Sequence, residues 1–261
     1  MDRTLGALTT FSDIARKYDV NSIHAVATGV VRRAVNRDHF IDLIHSKTGI
    51  KVDVITGERE AELTLKGVLH ALNIETGPFV IFDLGGGTTE FIIGEKEYAK
   101  IKSLPLGAAV LTQSFLRSDP PEKERIKNLE RHVDEILKGA FQKETHVGYD
   151  HLMVGTGGTV TTLAALIYQI GVQDISPDRL NGLVLRREQI GDLFEQLKLL
   201  TIDERLRLPG LDQGRADVIL AGTMVVIRIL HYFRSVLMKV SLSDLLEGVL
   251  ITYLEGEEDE K

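Results

Sequence analysis

Two carboxylates bracket a glycine-rich run in Asp83-Leu84-Gly85-Gly86-Gly87-Thr88-Thr89-Glu90, a composition suited to handling phosphate beside a cation. Val80, Ile81 and Phe82 lead in and Phe91, Ile92 and Ile93 lead out. The segment therefore predicts a β-hairpin whose tight connection uses the φ > 0 freedom of glycine. Backbone without side chains at 85–87 lets N–H groups approach an anion closely, and Thr88 and Thr89 add hydroxyl donors. Asp83 and Glu90 then face each other across the mouth of the turn. Paired acids beside a phosphate cradle repel the ligand unless a cation lies between them. Mg2+, which takes a few carboxylates together with waters and phosphate oxygens, meets that need. The same residues also suit a plain tight hairpin with solvated acids at its ends.

A second run, His151-Leu152-Met153-Val154-Gly155-Thr156-Gly157-Gly158-Thr159-Val160, again carries an apolar strand into glycine and threonine. Residues 161–170 follow with Leu163, Leu166, Ile167 and Ile170 at helical spacing, so the free N–H groups of a helix start point at the loop and make a second anion site. Neither run ends in the Gly-Lys-Ser/Thr of a P-loop, which argues against Walker-type chemistry. A dinucleotide fingerprint is the nearer rival, because Gly155-Thr156-Gly157 opens a helix and Asp174 follows at about 20 residues. The third glycine fails, since the position three after Gly157 is Val160, and the other glycine run leads into a strand.

The elements that must position these loops alternate between helix and strand. A helix is expected over 5–18, a strand over 23–27, a helix from Arg32 to His45, a strand over 51–55 and a helix from near Glu58 with Ala61, Leu65, Val68 and Leu72 inward. Beyond the hairpin, helices are expected to end before Asp119-Pro120-Pro121, over 122–141, over 187–199 and over 215–233. A short strand over 236–241 and a closing helix over 245–254 complete the series, with a frayed acidic end over 255–261. The pattern predicts two α/β lobes with a cleft between them, the anion loops lining it. The boundaries drawn from it are 1–56 with 241–261 for the first lobe and 57–240 for the second, which holds both glycine loops.

The 261 residues can bury a sizeable core, and 43% hydrophobic with 26% charged residues is ordinary globular composition. No cysteine is present, which excludes a disulfide framework and thiol chemistry and is compatible with the cytoplasm, the expected location. Neither a signal peptide nor an apolar run of about 20 residues is found, so no membrane partner is expected. A formal net charge of -7 argues against nucleic-acid binding on a basic surface. A polyanionic ligand must be met locally, by small arginine groups such as Arg32, Arg33 and Arg37 or Arg205, Arg207 and Arg215.

Taken in order, these pieces resemble the exopolyphosphatase and guanosine pentaphosphate phosphohydrolase (Ppx/GppA) family of the actin-like ATPase superfamily. The resemblance runs from Ala25-Val26-Ala27-Thr28 with Arg32, through Gly57-Glu58-Arg59-Glu60-Ala61, 83–90, 103–107 and 155–166, to Arg215-Ala216-Asp217 and Glu247-Gly248. It implies an actin-like (ribonuclease H-like) two-lobe fold with a central cleft. It implies Glu60 as the base that activates the attacking water and Asp83 and Glu90 as Mg2+ ligands. Gly85, Gly86, Gly87, Thr88, Gly157, Gly158 and Thr159 become the phosphate cradles, with Arg32 and Arg215 contacting the anion. On spacing alone, Glu58, Glu60 and Glu62 equally suit the start of a helix through its dipole, and only the resemblance selects Glu60.

The sequence departs from the family pattern in two places. An opening strand with an Asp-x-Gly-Thr/Ser-Asn-Ser loop is not found ahead of Thr28, so the first lobe is expected to be N-terminally truncated. Leu246 stands where the family's closing motif has an arginine. The leading expectation is a Mg2+-dependent hydrolase releasing terminal phosphate from inorganic polyphosphate or pppGpp. The alternative is a regulatory module that binds these compounds with little or no turnover. A sugar or acetate kinase relative is the third reading, disfavoured by a base placed for water. A homodimer is compatible with the resemblance alone.

Overall fold

The alternation read from the sequence is realised as two sheets in two compact units, Met1–Glu62 and Leu63–Lys261. The structure is a computed structural model that describes residues 1–75, 77–95, 98–141 and 151–259. The closing segment, grouped with the first lobe in the sequence reading, is part of the second unit.

In the first unit α1 (Asp2–Lys17) precedes β1 (Ala25–Ala27), α2 (Gly29–Arg33), α3 (Arg37–Thr48) and β2 (Val52–Val54). β1 and β2 pair in parallel, Ala25 opposite Val52 and Ala27 opposite Val54. The helix expected to run unbroken from Arg32 to His45 is interrupted. Ala34 takes an extended conformation, and the chain re-enters helix after Asn36, a residue whose short amide favours helix starts over interiors. Helix α4 (Gly57–Ala71) then begins at a side-chain cap, with the N–H of Arg59 donating to Thr56 Oγ1 at 3.1 Å.

The second unit is built on a six-stranded sheet, ordered β5-β4-β3-β6-β8-β7. β3 (Phe79–Leu84) and β4 (Thr89–Glu95) form the expected antiparallel hairpin, with Asp83 paired to Glu90. β5 (Tyr98–Leu104), not foreseen, continues the meander as its edge. Lys100 and Lys102 stand opposite Ile93 and Phe91, where an apolar face would otherwise mark the strand, and such charges are what edge strands use against aggregation. α5 (Ala108–Phe115) and α6 (Lys123–Phe141) follow, then β6 (Leu152–Thr156), parallel to β3, and α7 (Gly158–Ile167). α7 starts three residues before the expected 161, so the glycine loop is itself the helix start. α8 (Pro177–Leu180), β7 (Val184–Arg186), α9 (Arg187–Leu197) and α10 (Ile202–Arg205) lead to α11 (Ile219–Tyr232). Arg215, expected inside that helix, lies ahead of it in a single 3-10 turn, Gln213–Arg215. β8 (Leu237–Val240) and α12 (Leu245–Asp259) close the chain, the helix running past the expected 254.

One face of the sheet, with Val80, Phe82, Leu84, Phe91, Ile93 and Met153, packs on α5, α6, α7, α9 and α11 in the main core. Phe91 has no solvent exposure and stacks edge-on to Phe141 at 5.2 Å, which in turn meets Phe233 at 5.3 Å. Truncation there removes both the transfer energy and the packing of a full ring. Phe91→Ala is therefore expected to lower unfolding stability by about 3–5 kcal/mol in denaturant titrations. A loss under 1 kcal/mol contradicts the packing described. Arg228 ties α11 to α6, gripping Asp134 through two bonds of 2.7 Å and reaching Glu130 at 2.9 Å.

The C-terminal part of α4 and the start of α12 meet through glycine. A Cβ on Gly67 would fall 2.2 Å from the Asp244 carbonyl, and one on Gly248 would fall 1.8 Å from that of Leu63. Burial at this crossing raises the Asp244 carboxyl above its ordinary value, the Leu246 amide opposing and Glu247 adding to the rise. A folded pKa above the unfolded one gives stability that is present below about pH 4 and lost as pH rises through the raised value. Asp244→Asn keeps the acceptor for the Leu246 N–H and removes the charge. Urea midpoints of the variant are expected to flatten across that range and to match or exceed the parent at neutral pH. An unchanged pH profile contradicts this assignment.

Candidate active site

In the first unit, the residues named from the sequence gather at the start of α4. Arg32, on α2, donates from Nη1 to the Ile55 carbonyl at 2.8 Å and to Glu60 Oε2 at 3.1 Å. Its Nη2 lies 3.6 Å from where a Cβ on Gly57 would stand, an ordinary contact distance, so the guanidinium rests beside the helix start. Glu58, one residue on, is held below the usual carboxylate range by a backbone N–H, with the Thr56 hydroxyl and Arg32 assisting. Arg32 and Glu60 are thus brought together as an ion pair, each only partly exposed.

In the second unit, the hairpin turn is held in place from behind. The N–H of Gly85 donates to the Thr88 carbonyl at 3.0 Å, closing the turn. Its carbonyls at Gly85 and Gly86 accept from the N–H groups of Ala108 and Ala109 at the start of α5, each at 3.0 Å. Gly107 makes this stacking possible, since a Cβ there would fall 2.2 Å from the Gly87 carbonyl carbon. With the carbonyls engaged by α5, the N–H groups of Gly86 and Gly87 meet no backbone carbonyl among the described residues. Thr88 is half-buried, whereas Thr89 is fully buried and donates to the Leu106 carbonyl at 2.9 Å. The hydroxyl expected from Thr89 is therefore committed to the fold.

The second glycine loop comes up against the hairpin. Gly157 sits at φ +89, and a Cβ there would meet Asp83 Oδ1 at 2.6 Å and the Leu84 carbonyl at 2.7 Å. Only glycine takes this backbone conformation at so close an approach. Beside it, the Arg215 guanidinium occupies the space that a Cβ on Gly158 would fill, at 1.7 Å for Nη1 and 1.9 Å for Cζ. Thr159 is buried, with its side chain against Gly222 of α11. The N–H groups of Gly158, Thr159 and Val160 have no backbone acceptor among the described residues, as expected of a helix start.

The hairpin acids, the α7 start and Arg215 are thereby assembled in one place. A guanidinium resting on the positive end of a helix is an unfavourable pairing of like charges, relieved by an anion between them. Ser103 of β5, the register partner of Glu90, donates to Glu90 Oε1 at 2.7 Å. The resemblance covers Ser103 within 103–107 but gives it no role, because that role depends on its pairing with Glu90 across β4 and β5.

Among the described residues, no group of three or more His, Asp or Glu side chains forms a closed metal cage. Asp83 and Glu90 are instead a directly opposed cross-strand pair, a placement that costs energy for like charges. Two carboxylates with the remaining positions left to water and phosphate oxygens is the donor set that suits Mg2+. The residues present fit that ion.

Comparison with known proteins bears on the family and the fold. The family model described as the Ppx/GppA phosphatase family matches residues 1–257. Exopolyphosphatase 2 of Mycobacterium tuberculosis is 33% identical over 262 residues, covering 96% of this chain and 80% of the relative. The crystal structure of the Aquifex aeolicus Ppx/GppA family member is 32% identical with a TM-score of 0.83, covering 98% of this chain and 81% of that one. A crystal structure of an exopolyphosphatase from Cytophaga hutchinsonii gives 31% identity and a TM-score of 0.86, covering 98% and 82%. With its fold matched and its sequence covered almost end to end, the chain belongs to the Ppx/GppA phosphatase family, enzymes of the actin-like α/β fold.

Proposed function

We propose that the protein is a Mg2+-dependent phosphohydrolase that releases terminal phosphate from inorganic polyphosphate by direct attack of water. The observation that carries this reading is the seating of the Arg215 guanidinium on Gly158 at the start of α7, beside Asp83. That arrangement binds a phosphoryl group from two sides, through helix N–H groups and through a charged fork. The backbone N–H groups of Gly86 and Gly87 and the Thr88 hydroxyl supply the second cradle. Asp83 and Glu90 would hold Mg2+, which when bound offsets phosphate charge next to the two carboxylates.

In the reaction itself, the water oxygen bonds to the terminal phosphorus, the anhydride P–O bond breaks, and the shortened chain leaves with the bond electrons. Glu60 accepts the proton of the attacking water, and Arg32 fixes the orientation of that carboxylate. The same chemistry extends to pppGpp, whose terminal phosphate is also an anhydride. A cytoplasmic homodimer belongs to the same reading.

The Arg32–Glu60 ion pair favours one further reading. A carboxylate already held by a guanidinium offers fewer lone pairs to water, which suits a module that binds polyphosphate without turning it over. A phosphate-release assay separates the two readings. Release from polyphosphate is expected with Mg2+ present and is lost when EDTA removes it. Folded protein that binds polyphosphate yet releases no phosphate with Mg2+ overturns the hydrolase and leaves the binding module.

A further inference from the structure

A row of polar side chains crosses four adjacent strands at one level of the large sheet. The pairings Ser103 with Glu90, Glu90 with Asp83 and Asp83 with Thr156 put these residues side by side on β5, β4, β3 and β6. Their strand neighbours Leu104, Phe91, Phe82 and Leu84 point into the main core, so by alternation the four polar residues share the opposite face. Three of them have a place in the site already described. Thr156 does not.

Thr156 is 1% exposed, and its Oγ1 is buried with no hydrogen-bond partner among the described residues. An unsatisfied buried hydroxyl is costly, and valine, of nearly the same shape, would avoid that cost. The threonine lies between the strand that carries Asp83 and the glycine loop that starts α7. We propose that Thr156 is a positioning residue for Asp83: its hydroxyl donates to the Asp83 carboxylate, directly or through one buried water, when the cation and the phosphoryl group are bound. The inference rests on the reading of Asp83 as a cation ligand. Outer groups that orient metal-binding carboxylates contribute about 10–100-fold in metal affinity.

The test uses the full chain, with Mg2+ alone and Mg2+ with inorganic tripolyphosphate as calorimetric probes, and thermal unfolding without either. Thr156→Val is expected to leave the unliganded melting temperature unchanged or raised and to weaken Mg2+ binding about 10-fold or more, while Thr156→Ser restores it. Asp83→Asn is run in parallel and is expected to abolish Mg2+ binding. If Asp83→Asn abolishes binding and Thr156→Val does not change it, the positioning role is overturned while the cation site stands. If Asp83→Asn has no effect, both fall. A lower melting temperature for the unliganded Thr156→Val protein also overturns the proposal, because the hydroxyl is then satisfied within the resting fold.

Discussion

Gly158→Ala is expected to weaken polyphosphate binding about 10- to 150-fold while leaving the protein folded. The new methyl would stand 1.7 Å from Nη1 and 1.9 Å from Cζ of Arg215. One of the two must move. The guanidinium is the end of a flexible chain, whereas Gly158 is fixed in the first turn of α7, so the arginine swings away. Alanine in place of glycine suits a helix, and the three atoms nearest its methyl all belong to the Arg215 side chain, so the melting temperature should hardly change. What is lost is the charged contact to the phosphoryl group, worth about 1.5–3 kcal/mol. Arg215→Met should show the same loss, and the double variant should lose no more than either alone, because both remove one interaction. Gly157→Ala makes the contrast. Its methyl would meet the Leu84 backbone at a φ of +89, so that variant is expected to lose stability as well as binding. Equal affinity of Gly158→Ala and parent would remove Arg215 from the binding site.

Glu60→Gln is expected to lower kcat about 10²–10⁴-fold, the usual contribution of a positioned general base. Glutamine keeps the size of the side chain and an oxygen that accepts from Arg32, but cannot take the proton from water. The ion pair with Arg32 is partly exposed, and its weakening should change stability by no more than about 1 kcal/mol. Steady-state kinetics distinguish the role of base from that of a tether for Arg32. A base is needed in the transition state and not for binding, so kcat falls with KM held. If KM rises with kcat held, Glu60 serves only to place the arginine. Arg32→Lys provides the companion measurement, since it retains charge but replaces the planar guanidinium, whose Nη1 donates to both Ile55 and Glu60, with a shorter ammonium.

Much of the large sheet was legible in the chain because its signals are local. Strands β3 and β4 are apolar on both faces and joined by glycine, so the hairpin and the Asp83–Glu90 pair follow from a few consecutive residues. Where several weak local signals compete, tertiary context decides the outcome. The helix over 32–45 breaks at Ala34 despite its helical composition, and α7 begins at Gly158, a residue that propensity places outside helices. β5 and β7 gain their order from neighbours in the sheet and carry little pattern of their own.

For the site, the chain by itself determined which residue types are available and how the two glycine runs turn, because turn geometry depends on adjacent residues alone. Tertiary structure decided which of them act together. The seating of Arg215 on Gly158 joins residues 57 positions apart, and no spacing rule connects a 3-10 turn to a helix start that far away. The same holds for Thr89, whose hydroxyl is taken by Leu106, and for Thr156, whose place beside Asp83 comes from the parallel register of β3 and β6. Local stereochemistry selects glycine and threonine for the loops, while long-range packing selects the partner that each one meets.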